Sequence, residues 1–130
     1  MIRIVRVLVA LAGIAALVAC GAAAGSTRLS EQDAGKTVQL RAGDKLSIVL
    51  DGNPTTGYQW EQDAGDLAIL KPAGEPAFNA DSSALGSGGK VTVPFQAAAP
   101  GQTTLKLIYH RAFEKDVPPA KTFEVSVVVQ

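Results

Sequence analysis

Covalent catalysis needs a nucleophile, a base beside it and a group that orients the base. The chain holds one cysteine, Cys20, and one histidine, His110. No nucleophile, histidine and acid set can be assembled from them. His110 falls on the polar side of an alternating run, Leu105, Leu107 and Tyr109 against Lys106, Ile108 and His110, the place of a solvated histidine. Spacings that hold a metal, Cys-x-x-Cys or His-x-x-x-His, are absent from the sequence. Asp44 and Asp51 stand where turns are expected, and are turn acids before they are calcium ligands. Gly86-Ser87-Gly88-Gly89 lacks the lysine and the following helix of a phosphate-cradling loop. The residue types therefore point to recognition by loops, with no cofactor and no metal, rather than to a reaction.

The densest such stretch is Asn53-Pro54-Thr55-Thr56-Gly57-Tyr58-Gln59-Trp60. Pro54 fixes its own φ and pushes Asn53 towards extended backbone. Gly57 permits a conformation that other residues avoid and lets another surface come close. Thr55 and Thr56 are small, stiff at χ1 and able to hydrogen-bond. Before this stretch Leu46, Ile48 and Leu50 alternate with polar or smaller neighbours; after it Tyr58 and Trp60 alternate with Gln59 and Glu61. Two strands are thus joined by a short loop held at both ends. A plain connection with Trp60 as core filler has the same composition.

The elements that position this loop are all of one kind. Val38 and Leu40 open a first short strand, and Ala42-Gly43-Asp44 makes a turn. Lys45 to Leu50, Tyr58 to Glu61 and Leu67 to Leu70 follow as strands, and Pro72 to Pro76 is irregular. Asn79 to Gly89 is polar and glycine-rich and reads as loop. Val91, Val93 and Phe95 alternate with Thr92, Pro94 and Gln96; Pro94 donates no backbone hydrogen bond, which argues for an edge or a bulge. Leu105 to Tyr109 is the next strand. Arg111 to Ala120 is a loop with Pro118-Pro119, and Lys121 to Val129 closes the chain with Phe123, Val125, Val127 and Val129 facing inward. The expected fold is all-β, an antiparallel immunoglobulin-like β-sandwich of about seven short strands. With one cysteine it has no internal disulfide. A sandwich shows its loops at two ends, so Asn53–Gly57, Gly86–Gly89 and Arg111–Ala120 are expected to share one edge.

A length of 130 residues supports one domain. The net charge is zero, with no basic stripe, which excludes electrostatically driven nucleic-acid binding. Residues 1–19 read as a cleaved signal peptide. Arg3 and Arg6 precede Val7 to Ala19, an uncharged apolar run. As a helix that run spans roughly 20 Å, short of the ~30 Å that a membrane span must cross. It ends Leu17-Val18-Ala19-Cys20-Gly21, which resembles a bacterial lipobox. The resemblance implies cleavage before Cys20, acylation of its thiol and attachment to a membrane. Gly21, where an Asp would signal retention, implies the outer membrane of a Gram-negative host. A plain secretory signal cut near Ala22 to Ala24 is the other reading of the same residues. The mature chain, without Arg3 and Arg6, carries ten basic and twelve acidic side chains, a net −2. Residues 20–35 are expected to be the lipidated cysteine and a tether, flexible from Gly21 to Ser30 because it is small and polar. Residues 36–130 are expected to be the folded domain.

Taken together, the three loops resemble those of the chagasin family, protein inhibitors of papain-like cysteine proteases. The family's Asn-Pro-Thr-Thr-Gly-Tyr/Phe loop is matched by Asn53, Pro54, Thr55, Thr56, Gly57 and Tyr58. Its Gly-x-Gly-Gly loop is matched by Gly86, Ser87, Gly88 and Gly89, after Leu85. Its third loop follows a Tyr and begins Arg-Pro-Trp; here Arg111 follows Tyr109-His110, Ala112 stands for the Pro, and Phe113 stands for the Trp. The likeness runs from about Lys36 to Val129. It implies a non-catalytic protein whose three loops enter a protease cleft as a wedge, with Arg111 pairing with an acid or carbonyl and Phe113 covering the flank. It implies no cofactor and no small-molecule substrate. Losing the Pro leaves the third loop less preorganised, and Phe offers a smaller face than Trp and no N–H. Two other functions compete with inhibition: a structural or adhesive module of the cell envelope, and an enzyme or small-ligand carrier. The last would need a concave pocket with convergent polar groups, for which no sequence feature speaks.

Overall fold

The computed structural model describes residues 25–130. Residues 1–19, expected to be a signal peptide, and Cys20 lie outside them. Nine strands form two packed sheets: β1 (Ser26–Ser30), β2 (Thr37–Leu40), β3 (Lys45–Gly52), β4 (Tyr58–Ala64), β5 (Leu70–Pro72), β6 (Ala77–Ala80), β7 (Gly89–Ala97), β8 (Gly101–Arg111) and β9 (Lys121–Val129). In the first sheet the order is β1-β3-β7, with β5 and β6 both pairing the far side of β7; in the second it is β2-β9-β8-β4. The fold is the all-β sandwich expected, with more strands and with mixed sheets. β1 pairs β3 and β2 pairs β9 in parallel, whereas every other pairing is antiparallel.

The period-2 runs deliver the core. Leu46, Ile48 and Leu50 of β3, Leu105 and Leu107 of β8, and Phe123, Val125 and Val127 of β9 are all essentially inaccessible to solvent. Each lies on the inner face of its sheet, so the two faces interdigitate into one cluster that also takes in Leu29, Leu40, Trp60, Leu70 and Phe95. Leu29 corrects the expected tether. Ser26–Ser30 reads as linker by composition, yet it pairs residue for residue with Lys45–Val49 and buries Leu29. The strand is specified by an existing edge, that of β3, and by one apolar side chain. The Asp44 carboxylate fixes its entry by accepting from the Gly25 and Arg41 amides, each at 2.8 Å.

Two further boundaries moved. Leu67 to Leu70 is not a strand. Asp66 closes a turn there, its carbonyl accepting from the Ile69 and Leu70 amides and its carboxylate from Ala68 N, and β5 starts only at Leu70. The polar run expected as loop from Asn79 to Gly89 begins inside a strand, β6, because Ala77–Ala80 finds the free side of β7. Pro94 occupies the edge-like position its chemistry demands. It lies in mid-β7, but opposite the gap between β5 and β6, where its carbonyl accepts from Ala73 N at 3.0 Å. No partner there is denied a donor.

The register gives the molecule two poles. β3, β6 and β8 run towards one pole and β4, β7 and β9 run away from it. The connections 53–57, 81–88 and 112–120 therefore gather at that pole. Because β1 is parallel to β3 and begins opposite Lys45, the chain enters the domain at the other pole.

Candidate functional site

The first loop is braced from within. Asn53 caps a 3-10 turn over Pro54–Thr56, its side-chain oxygen accepting from the Thr55 amide at 3.1 Å and the Thr55 hydroxyl at 2.5 Å. The Thr56 hydroxyl donates to the Asn53 carbonyl at 2.7 Å, and the Gly57 amide to the Pro54 carbonyl at 3.1 Å. Gly57 then turns the chain into β4 with φ 81°, in the left-handed region. Pro54 supplies the fixed φ of a first helical position. The result is a stiff tip on which Pro54, Thr55, Thr56 and Gly57 are exposed.

Beneath the tip lies an aromatic stack. Tyr109 sits between Tyr58 and Trp60, with ring centroids 5.1 and 5.0 Å away. Its hydroxyl accepts from the Asn53 amide at 2.9 Å. Trp60 Nε1 donates to the Asp51 carbonyl at 2.9 Å, joining the two sheets under the loop. The alternation of β4 and β8 puts these rings on the inner face, and their polar ends then hold the loop's backbone. Lys90 and Asp51, paired across β7 and β3, tie the same region from outside. The contact with Lys90 holds the Asp51 carboxyl below its ordinary value.

The second and third loops meet the first. Asn53 Nδ2 donates to the Gly86 carbonyl at 3.0 Å. Arg111 Nε donates to the Thr56 carbonyl at 3.0 Å. The Arg111 guanidinium lies 4.4 Å above the Tyr58 ring and takes Glu114 Oε1 at 2.8 Å. That bond raises the Arg111 pKa above its ordinary value. A Cβ on Gly57 would stand 3.2 Å from the Phe113 ring, so the glycine is also what lets Phe113 close on the tip. The three loops form one continuous ridge.

Several of the expected site residues have duties other than presenting themselves to a partner. Gly89 is buried at the start of β7, where a side chain would collide with the Asn79 carbonyl of β6; sheet packing requires this glycine. Asn53 spends its amide on the loops themselves. Arg111, expected to reach out to an acid or carbonyl, is half-buried and engaged on Thr56, Tyr58 and Glu114. Ser87 is also turned partly inward, its hydroxyl on the Gly88 carbonyl and on Ser82. Pro54, Thr55, Thr56, Gly57, Gly86, Ala112 and Phe113 are exposed, and Tyr58 and Gly88 are half-covered. Two residues of the ridge escaped the sequence reading. Leu85 is fully exposed at the tip of the second loop; an apolar residue in a run of Asp, Ser and Gly was the available signal. Glu114 was the other, three residues after Arg111. Among the described residues no cluster of three His, Cys, Asp or Glu side chains could hold a metal ion. His110 sits on the outer face against Glu61, Nε2 to Oε2 2.6 Å.

Residues 39–127 match the family described as chagasin family peptidase inhibitor I42. The chain belongs to the chagasin family of peptidase inhibitors. It is similar to Amoebiasin-1 of Entamoeba histolytica, with 30% identity over 102 residues that span 78% of this chain and 98% of the relative. Among solved structures it resembles a cysteine protease inhibitor from the same organism, with TM-score 0.73 and 25% identity over 83% of this chain and 98% of the other. It shares its fold with PbICP-C, a protein solved in complex with falcipain-2, with TM-score 0.57 and 20% identity over 82% of this chain and 92% of the other. A chagasin-family chain is a protein inhibitor and not an enzyme.

Proposed function

We infer that this chagasin-family chain inhibits papain-like cysteine proteases by seating the ridge in the active-site cleft. The observation that carries the reading is the stiff tip Thr55–Gly57, supported by Asn53, Tyr109 and Arg111 and flanked by the other two loops. A protease cuts a carbonyl only when it is held in attack geometry. Slim residues on a braced loop can fill the cleft beside a catalytic thiol without offering such a carbonyl. A loop already in its bound shape loses little entropy on docking. Leu85 and Phe113, exposed on either side, would supply apolar anchors at the rim. The names of the relatives support the target class: one is a cysteine protease inhibitor and another was solved on falcipain-2.

The test is inhibition of papain by the chain from Gly21 onward, beside Thr56→Arg. The wild type should inhibit in a dose-dependent way. The arginine, too long for a narrow cleft, should weaken inhibition roughly 100-fold while the protein stays folded. Papain and its relatives left untouched at high micromolar inhibitor would sink the reading and favour an envelope module of structural or adhesive role. The same reading places the inhibitor in the cell envelope, held at the outer membrane through acylated Cys20; its support is the lipobox-like run ending at Cys20.

A further inference from the structure

Arg111, Ala112, Phe113 and Glu114 form a turn closed twice. The Glu114 amide donates to the Arg111 carbonyl at 3.0 Å, and the two side chains meet at 2.8 Å between Arg111 Nη1 and Glu114 Oε1. The second closure leaves the guanidinium on the Tyr58 ring with its Nε on the Thr56 carbonyl. Glu114 thus reaches the tip of the first loop through Arg111. The pair is partly shielded, with side chains 35% and 28% exposed, so it is less screened than a free surface ion pair.

Ala112 is the second residue of this turn, the position at which a proline presets φ. Its amide has no hydrogen-bond partner among the described residues, and Arg111 before it is the extended end of β8, as a residue before proline prefers. A proline would therefore fit, and the chain does without it. We propose that Glu114 is a positioning residue of the inhibitor, clamping Arg111 so that the third loop is held in binding shape by an ion pair where a proline would otherwise hold it. This rests on the ridge being the protease-binding surface. Glu114 itself touches no protease in this assignment; it fixes Arg111 and, through the turn, Phe113.

A clamp and a proline that do the same work are redundant, so their effects cannot add. Four proteins decide the matter: wild type, Glu114→Gln, Ala112→Pro and the double variant. Each is measured for papain inhibition at low and high salt, and for the {1H}-15N NOE of the Phe113 amide. Glu114→Gln should weaken inhibition roughly 3- to 10-fold at low salt, less at high salt, and should lower the Phe113 NOE. Ala112→Pro should leave inhibition within about 2-fold of wild type, and the glutamine should then cost less than about 2-fold, with the NOE restored. An equal loss in both backgrounds, or no loss in the alanine background, overturns the proposal. If the wild type fails to inhibit papain, the functional reading falls, while an unchanged Phe113 NOE in Glu114→Gln would independently overturn the clamp. Amide shifts elsewhere in the domain report whether any variant has failed to fold.

Discussion

Gly57 carries two constraints that no other residue type meets together. Its φ of 81° is open to an L side chain only at a cost, and the space beside it is filled by Phe113. Alanine there should cost about 1–2 kcal/mol from the backbone alone and should also displace Phe113. Urea unfolding of Gly57→Ala should show the loss, and papain inhibition should fall by more than the folding change explains, because the fault lies inside the ridge. Wild-type stability in that variant would mean that the loop relaxes freely, contrary to its bracing. At this scale the sequence showed the loop's composition plainly, since Pro54, Gly57 and the threonines announce a held turn. It did not show that Asn53 and Arg111 serve the other loops. Those duties depend on partners 33 and 55 residues away, and pairings at such distances leave no local pattern.

Strands that carry their own alternation were legible: β3, β8 and β9 can be read residue by residue from their apolar period. Strands that borrow their identity from a neighbour were not. β1 has one buried leucine in a polar stretch, and β6 has four exposed residues; each is a strand because an adjoining strand offers unpaired backbone. β5 was misplaced because Leu67 looked as apolar as Leu70, although a turn held by Asp66 leaves it on the surface. Deleting residues through Ser30 tests how much β1 contributes. It removes the Leu29 side chain from the core and bares the edge of β3, which should destabilise the domain by about 3 kcal/mol and promote self-association through the new edge. Matching urea midpoints and a monomeric truncated form would show that Ser26–Ser30 is a tether after all.

The whole molecule has its three-loop ridge at one pole and its N-terminal entry at the other. Release from a membrane should therefore leave the ridge unaffected. Cys20→Ser should move the protein from the detergent-extracted membrane fraction to the soluble fraction of its host, with papain inhibition per molecule unchanged. A wild-type chain already found in the soluble fraction would contradict the lipid anchor. Only five residues, Gly21 to Gly25, separate Cys20 from β1. At about 3.4 Å each they span at most roughly 17 Å, so an anchored domain would stand close over the bilayer with its ridge pointing away.

The parallel pairing of β1 with β3 also sets how the domain bears load. A chain held at its N-terminal side, with a large protein gripped on the ridge, is pulled at the start of β1 and at the end of β3, in opposite directions along the strand axis. The hydrogen bonds between these strands lie across that axis, and a pull of this kind shears them all at once. An antiparallel first strand would have entered beside the ridge and would have peeled away one bond at a time. The direction in which five residues run thus makes the sandwich a tie that resists tension between its two poles.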